Sequence, residues 1–218
     1  MNTISLLDDR LLLHKGYFSP EQSLALFLQL RQETRWLQAG YLNNDGRTTF
    51  LPRLTANYGE ESYDYSGLSF DPKPWSLRLS SLKELAEQEA KTSFNALIVQ
   101  LYRDGADVVH WHADDSPRVG PNPSIVSMSF GAARTFEVKH KERSDERLSL
   151  LLEDGDLLVM QGDLQHLYLH RVRKEPQPSA RINLTFRNIS HPKAPVSVLA
   201  SKTPKTILRE VDLSAPQI

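Results

Sequence analysis

The sequence contains no cysteine among its 218 residues. Disulfide bonds and thiolate metal ligands are therefore excluded, and any metal must be held by histidine, carboxylate or water. No apolar run approaches the roughly 20 residues that a membrane-spanning helix needs. The N-terminus also lacks the basic and apolar regions of a secretory signal. We expect an intracellular protein, cytoplasmic if bacterial, with no membrane partner.

An excess of charge of one sign is also absent, since the formal net charge is −1. The whole molecule is therefore not a polycation, and contact with nucleic acid would require a locally basic surface. The length suffices for one sizeable domain with its own core. We find no internal repeat or low-complexity block, and we expect a monomer.

The first part of the chain is predicted to contain two helices. Residues 20–37 and 77–91 carry apolar positions at helical spacing, and the first follows a Ser-Pro-Glu start signal. Residues 40–67 are rich in Gly, Asn, Asp, Tyr and Arg, and we predict turns and loops there.

The second part of the chain predicts a series of short strands, because apolar runs alternate with turn signals. These runs are 96–103, 124–130, 133–139, 147–153, 156–160, 166–173 and 181–187. Two helices followed by many strands indicate a mainly β fold, with the helices packed on one face of a double-sheet jelly roll. Residues 189–218 show no sustained period, and we predict an extended or partly ordered C-terminal tail.

A polar cluster lies within the strand series at residues 108–117, VVHWHADDSP. Positions i and i+2 of a strand point to the same side, so the His112 imidazole and the Asp114 carboxylate converge. A third ligand would complete the facial triad of non-haem Fe(II) enzymes. The candidates are His140, His166, His170 and His191. The alternative interpretation is a hydrogen-bonded pair at a strand end, since an isolated H-x-D pair arises readily by chance.

A second pattern is RINLTFR at residues 181–187. In a strand, alternate residues share a face, so one face here would carry two guanidinium groups, an amide and a hydroxyl, and the other would be apolar. The residues of the polar face are Arg181, Asn183, Thr185 and Arg187. Such a face commonly meets water, but an inward polar face would suit an anionic ligand, because arginine binds carboxylates in a bidentate manner.

A third pattern is NALIVQLYRDG at residues 95–105, where Gln100 and Tyr102 share a face. A phenol and an amide there suit a bound carboxylate or ketone, although a strand tyrosine is most often half-buried packing. Together the three patterns provide what an Fe(II)/2-oxoglutarate oxygenase requires. These requirements are three iron ligands, open coordination positions and a carboxylate site.

Six stretches in one order carry a family resemblance. They are PRLTANYGEESYDYSG, PWSL, LYRDGADVVHWHADD, SIVSMSFGAARTFEVKH, HRVRKE and RINLTFR. The sequence resembles the AlkB family of Fe(II)/2-oxoglutarate-dependent nucleic-acid dealkylases, nearest its single-strand-active homologues. The resemblance implies one dioxygenase domain over residues 1–188. It also implies a double-stranded β-helix core at 95–187, a substrate lid at 50–67 and a C-terminal extension at 189–218.

The resemblance also implies roles for individual residues. The histidine of HRVRKE selects His170 over His166 as the third ligand of Fe(II), beside His112 and Asp114. The implied cosubstrate contacts, for 2-oxoglutarate, are Gln100, Tyr102, Arg181, Asn183, Thr185 and Arg187. The implied substrate contacts are Arg53, Tyr63, Tyr65, Asp115 and Ser116. Two of these positions depart from the family, since relatives usually carry Asn at Gln100 and an acid at Ser116.

The implied reaction is O₂-dependent oxidative demethylation of N-alkylated bases of the 1-methyladenine and 3-methylcytosine type. It would release formaldehyde, succinate and CO₂ from single- or double-stranded DNA, or from RNA. The base must leave its stack to react, and lid tyrosines would stack on it or reach a phosphate, unless the lid is an ordinary surface loop. Basic clusters at 139–143 and 171–174 either follow phosphates or form solvated edges. The competing hypotheses are an oxygenase that modifies RNA or protein in regulation, and a non-catalytic nucleic-acid binder.

Overall fold

A computed structural model describes residues 2–43, 45–61, 63–65, 68–143, 145–190 and 206–213, without the side chains of 63–65, 68–70 and 206. The helices are α1 (Pro20–Glu33), α2 (Leu77–Ala90) and α3 (Leu164–Leu167). The strands are β1 (Asn2–Leu6), β2 (Leu11–Lys15), β3 (Trp36–Leu42), β4 (Thr48–Phe50), β5 (Leu54–Gly59), β6 (Tyr63–Tyr65), β7 (Leu68–Phe70), β8 (Ala96–Tyr102), β9 (Val109–His112), β10 (Ile125–Gly131), β11 (Arg134–His140), β12 (Arg147–Leu152), β13 (Leu157–Met160), β14 (Tyr168–Val172), β15 (Arg181–Arg187) and β16 (Thr206–Val211).

Two antiparallel sheets form the body of the fold, as the strand series predicts. The major sheet has the order β1-β2-β13-β10-β15-β8-β5-β3-β16, with β4 paired to β3. The minor sheet has the order β12-β11-β14-β9. One apolar core joins the sheets, since Ile125 and Met160 of the major sheet pack with Phe136 and Val172 of the minor sheet. The predicted mainly β jelly roll with flanking helices is confirmed.

The two longer helices cover the outer face of the major sheet. Leu30 of α1 and Leu82 of α2 belong to one buried cluster with Val99 of β8 and Leu184 of β15. Ser19 caps α1 with a full capping box, and its hydroxyl accepts from the Gln22 amide. Because the apolar parity of β8 and β15 is covered by the helices, the polar parity of both strands faces the minor sheet.

The structure corrects three local predictions. Helix α1 ends at Glu33 rather than 37, since Trp36 is buried in β3 and pairs with Val211 of β16. Residues 40–67 contain strands β4, β5 and β6, because pairing with neighbouring strands overrides the turn-rich composition.

The third correction concerns 166–173, where α3 precedes β14. A short apolar run does not by itself distinguish helix from strand. Part of the predicted C-terminal tail also forms an element, since β16 extends the edge of the major sheet at β3. None of the described helices is long and apolar enough to cross a membrane.

Candidate active site

Three predicted metal ligands meet between the two sheets. His112 ends β9, Asp114 follows two residues later, and His170 lies opposite His112 on β14. The ligand atoms of these three residues all lie within 4.8 Å of one another. Nε2 of His112 is 4.0 Å from Oδ1 of Asp114, and Nε2 of His170 is 3.9 Å from Oδ2. The strand register therefore brings together a pair that is local in sequence and a ligand that is 56 residues away from Asp114 along the chain.

The protonation states of these groups suit a divalent cation. Burial lowers the pKa of the His170 imidazole to about 3, and burial also lowers the pKa of His112. Burial raises the pKa of Asp114, but the Arg187 guanidinium and the two imidazoles outweigh this effect and hold it at about 2. Metal binding requires neutral imidazoles and an ionised carboxylate. Within the described part of the chain, Oδ1 of Asp114 is buried without a hydrogen-bond partner, as expected of a ligand atom reserved for a cation.

Several groups hold the metal ligands in place. The Asp114 amide donates to Oε1 of the buried Gln165 at 2.9 Å, and Nη2 of Arg187 donates to Oδ2 of Asp114 at 2.9 Å. Nδ1 of His112 lies 2.9 Å from the carbonyl oxygen of His110. Nδ1 can donate to this carbonyl, which leaves Nε2 as the ligand atom.

Two of the three alternative third ligands lie away from the His112–Asp114 pair in the structure. His166 is on α3, with Nε2 at 2.6 Å from the carbonyl oxygen of Pro121. His140 accepts at Nδ1 from the amides of Glu142 and Arg143. His191 lies outside the described residues.

The predicted cosubstrate residues form one inward face beside this cluster. In the antiparallel register of β15 and β8, Arg181 lies opposite Tyr102 and Asn183 lies opposite Gln100. The hydroxyl of Tyr102 donates to Oε1 of Gln100 at 3.0 Å. All six of these side chains line the pocket that contains His112, Asp114 and His170. They are Gln100, Tyr102, Arg181, Asn183, Thr185 and Arg187.

Arg181 is the residue best suited to an anionic ligand. It is only 1 % exposed, and its guanidinium carbon lies 5.2 Å from the centre of the Tyr102 ring. Nη2 donates to the Ser129 hydroxyl at 2.9 Å, whereas among the described residues Nε and Nη1 have no hydrogen-bond partner. Burial lowers the pKa of Arg181. A buried cation with two unsatisfied donors is costly unless an anion joins it.

Sequence reasoning missed three supporting residues. Ser129 bonds Arg181, Ser127 accepts from Nδ2 of Asn183 at 2.7 Å, and Gln165 anchors the Asp114 backbone. The two serines carried a usable signal, since SIVSMSF alternates polar and apolar residues and β10 pairs with β15. Gln165 gave no local signal, because it lies on the short helix α3, just before the run 166–173 that was predicted as a strand.

The predicted substrate residues are spread around the pocket. Arg53 is buried and its Nη1 donates to the carbonyl of Val108 at 3.1 Å. Asp115 is exposed and lies 3.2 Å from Nζ of Lys141, and Ser116 caps the short 3₁₀ turn at Pro117–Val119. Tyr63 and Tyr65 lie on β6, with side chains outside the described part of the structure. The substrate roles of all five residues stay predictions.

Comparison with known proteins agrees with this geometry. The sequence model of the 2OG-Fe(II) oxygenase superfamily matches residues 10–187. The chain is 40% identical to alpha-ketoglutarate-dependent dioxygenase alkB homolog 3 of Homo sapiens over 190 residues, covering 83% of this chain and 66% of that protein. It is 32% identical to DNA oxidative demethylase ALKBH2 of Mus musculus over 184 residues, covering 79% of this chain and 77% of that protein. The chain belongs to the AlkB family.

The matched region spans about two thirds of the length of the human relative. A solved structure, "The structure of OsALKBH1", superimposes with a TM-score of 0.60 at 18% identity, covering 86% of this chain and 100% of that one. At that identity the likeness concerns the fold alone. As a 2OG-Fe(II) oxygenase, this AlkB-family chain uses Fe(II), 2-oxoglutarate and O₂, which confirms the expected cofactors.

Proposed function

We propose that this protein removes N-linked alkyl groups from nucleobases by Fe(II)- and 2-oxoglutarate-dependent oxidation. The observation that carries the proposal is one pocket with a buried His-Asp-His cluster beside a buried, incompletely satisfied arginine. The names of two relatives support the substrate class, since one is a DNA oxidative demethylase and the other an alkB homolog. The expected substrates are 1-methyladenine and 3-methylcytosine in DNA, with RNA as an alternative.

The two sheets would contribute different groups to the site. His112, Asp114 and His170 would hold the iron, and Arg181 would receive the distal carboxylate of 2-oxoglutarate, with the Tyr102 hydroxyl beside it. The bound iron, 2-oxoglutarate and O₂ together supply the oxidant that hydroxylates the N-alkyl carbon. Arg187 keeps the Asp114 carboxylate ionised and oriented through its 2.9 Å contact.

The extended inner face would limit water in the pocket. Ile98 and Val109 line the pocket together with Phe136 and Met160, so apolar side chains lie among its polar groups. Exclusion of water from such a pocket strengthens the charged contacts of the ligands and limits side reactions. The base enters only after leaving its stack, with Arg53, Tyr63, Tyr65, Asp115 and Ser116 as the proposed contacts.

A comparison of methylated substrates tests the proposal. Single- and double-stranded DNA, RNA and peptides, each carrying one N-methyl group, are incubated with iron-loaded protein, 2-oxoglutarate and O₂. Formaldehyde and succinate should form in equal amounts with methylated oligonucleotides and should be absent with their unmethylated counterparts. Release from the peptide alone would overturn the nucleobase assignment and favour the regulatory alternative.

A further inference from the structure

The minor sheet, which carries His112 on β9 and His170 on β14, presents a second set of side chains on its other face. Arg171 alternates with the buried His170 and Val172, and Lys139 alternates with the buried Val138 and His140. Both cations approach the partly exposed Trp111. Nζ of Lys139 lies 4.6 Å, and Cζ of Arg171 lies 4.5 Å, from the centre of its ring. The indole therefore orders two long cationic side chains on the outer face of the minor sheet.

This outer face concentrates positive charge. Arg147 lies directly opposite Lys139, and Arg171 lies directly opposite Glu137. Glu137 bonds Arg171 and lies 3.8 Å from Nη1 of Arg173, so one carboxylate is shared by two guanidinium groups. We name as the cationic face the residues Trp111, Glu137, Lys139, Arg147, Arg171 and Arg173. The face holds four cations and one carboxylate, and Oε2 of Glu175 lies 4.0 Å from Nε of Arg173.

Three of these cations, Lys139, Arg171 and Arg173, have partly exposed side chains. The side chain of Arg171 is 36% exposed and that of Arg173 is 47% exposed. Within the described part of the chain, the Lys139 ammonium has no carboxylate within salt-bridge distance. A cation that is ordered by an aromatic ring loses less conformational entropy on binding than a free surface lysine does. The face is thus preorganised for an anionic ligand.

The cationic face continues to the loop beside the metal site. Strand β11 ends at His140, and Nζ of the next residue, Lys141, lies 3.2 Å from Oδ2 of Asp115 and 3.0 Å from the carbonyl of Gln165. Asp115 directly follows the ligand Asp114. A chain of phosphates can therefore pass from this loop over the end of the minor sheet onto its outer face.

We propose that the cationic face binds the phosphates of single-stranded nucleic acid flanking the nucleotide in the active site. The inference rests on the proposed nucleic-acid function. A single strand is indicated because the path turns around the edge of one sheet. A duplex, with a persistence length of about 150 base pairs, resists so sharp a turn, whereas a flexible single strand follows it.

Binding measurements with matched variants test the inference. Lys139→Ala and Arg171→Gln each remove one cation from the face. Lys83→Ala is the control, because Lys83 also lies over a tryptophan, with Nζ 5.9 Å from the Trp75 ring, and is paired with Glu87 on α2. The full chain loaded with Mn²⁺ and 2-oxoglutarate is titrated with labelled unmodified oligonucleotides by fluorescence anisotropy at several salt concentrations. The probes are single strands of about 4 and about 16 nucleotides, and a duplex of the longer one.

The expected result depends on the length of the probe. Each face variant should bind the longer single strand about threefold more weakly, with the slope of log K against log salt reduced by about 0.7. Binding of the shorter strand and of the duplex should match the wild type, and Lys83→Ala should match it throughout. Unchanged affinity for the longer single strand in both face variants would overturn the inference. So would an equal loss with the duplex.

Turnover separates this inference from the proposed function. The same proteins, loaded with iron, are assayed for formaldehyde release from N-methylated strands of both lengths. Face variants should raise KM for the longer strand and leave kcat unchanged. If the wild type releases no formaldehyde from any methylated strand, the proposed function fails. In that case a salt-dependent loss of binding in the face variants would still support a nucleic-acid surface.

Discussion

Asp114 lies between one guanidinium group and two imidazoles whose pKa values are lowered by burial. Arg187 contacts Oδ2, the two imidazoles flank the carboxylate, and Oδ1 has no hydrogen-bond partner among the described residues. At 2% exposure its charge is compensated by Arg187 alone until a metal binds. Substitution by alanine would leave Arg187 buried without this carboxylate, so stability as well as chemistry would change.

Asp114→Asn isolates the chemical effect, because the amide keeps the shape and loses the charge. We expect iron affinity to fall by more than about 100-fold, since even residues that only orient a ligand contribute about 10–100-fold. Iron titration followed by succinate formation measures the loss, and circular dichroism monitors the fold.

His166→Gln is the matched control for the ligand assignment. Nε2 of His166 contacts the carbonyl oxygen of Pro121, outside the His-Asp-His cluster, and its replacement should leave iron affinity unchanged. Iron affinity retained in Asp114→Asn, or lost in His166→Gln, would contradict the assignment.

Arg181→Met tests whether Arg181 binds the carboxylate of 2-oxoglutarate. Methionine removes a buried guanidinium that has two unsatisfied nitrogens, so the ligand-free protein should be as stable as the wild type or more stable. The KM for 2-oxoglutarate should rise at least about tenfold, because one charge-assisted contact is worth about 1.5–3 kcal/mol. Thermal unfolding with and without 2-oxoglutarate, together with succinate kinetics, measures both effects. An unchanged KM would contradict the role of Arg181.

Paired strands explain why residue patterns in the sequence predicted so much of the site. Polar and apolar residues alternate along β15 and along β8 from Val99 to Tyr102, and both strands are buried on both faces. Alternation therefore predicted which side chains share a face, while the pairing of β8 with β15 set Arg181 against Tyr102. The loop between β8 and β9 then carries the chain from the cosubstrate strand to the metal strand.

Gly105 in that loop allows a close backbone approach. A Cβ there would lie 1.8 Å from the carbonyl oxygen of Glu175 and 2.7 Å from the amide nitrogen of Gln177. The loop also donates from the Gly105 amide to Gln177 and accepts from the Glu175 amide. Both contacts are with backbone atoms of the loop between β14 and β15, so a Cβ at Gly105 would force the two loops apart.

Gly105→Ala should therefore lower the free energy of unfolding by about 3 kcal/mol, the upper range of overpacking. Ala106→Ser adds one atom at the neighbouring exposed position and should stay within about 0.5 kcal/mol of the wild type. Urea unfolding of both variants measures the difference. Equal stability of the two variants would show that the loops separate easily.

The fold places the proposed metal-binding histidines and the proposed cosubstrate arginines on opposite sheets. His112 and His170 belong to the minor sheet, whereas Arg181 and Arg187 belong to the major sheet. Arg187 joins the two through Asp114. Iron and 2-oxoglutarate would thus bind at the seam between the sheets, and their binding energy opposes separation of the sheets.

Iron with 2-oxoglutarate, under anaerobic conditions, should raise the melting temperature of the whole protein. At about 100 times the dissociation constant a ligand stabilises by about 2.7 kcal/mol, which corresponds to about 5–10 °C for a domain of this size. Differential scanning calorimetry with each ligand alone and with both measures the shift. Chelation of the iron should reverse it. With both ligands present, the melting temperature of Arg181→Met should rise less than that of the wild type. An equal rise would mean that 2-oxoglutarate binds away from Arg181.

Local sequence determined the alternation of each strand, the H-x-D pair, the start of both long helices and, through motif order, the family. These properties depend on residues within one strand or one turn, where side-chain direction follows from backbone geometry. Tertiary structure decided the rest. Strand pairing favoured His170 among the three candidate histidines that the structure describes, converted residues 36–42 and 206–211 into paired strands, and brought Ser129 and Gln165 to the site. Such contacts depend on register between segments distant in the chain, which no local pattern encodes.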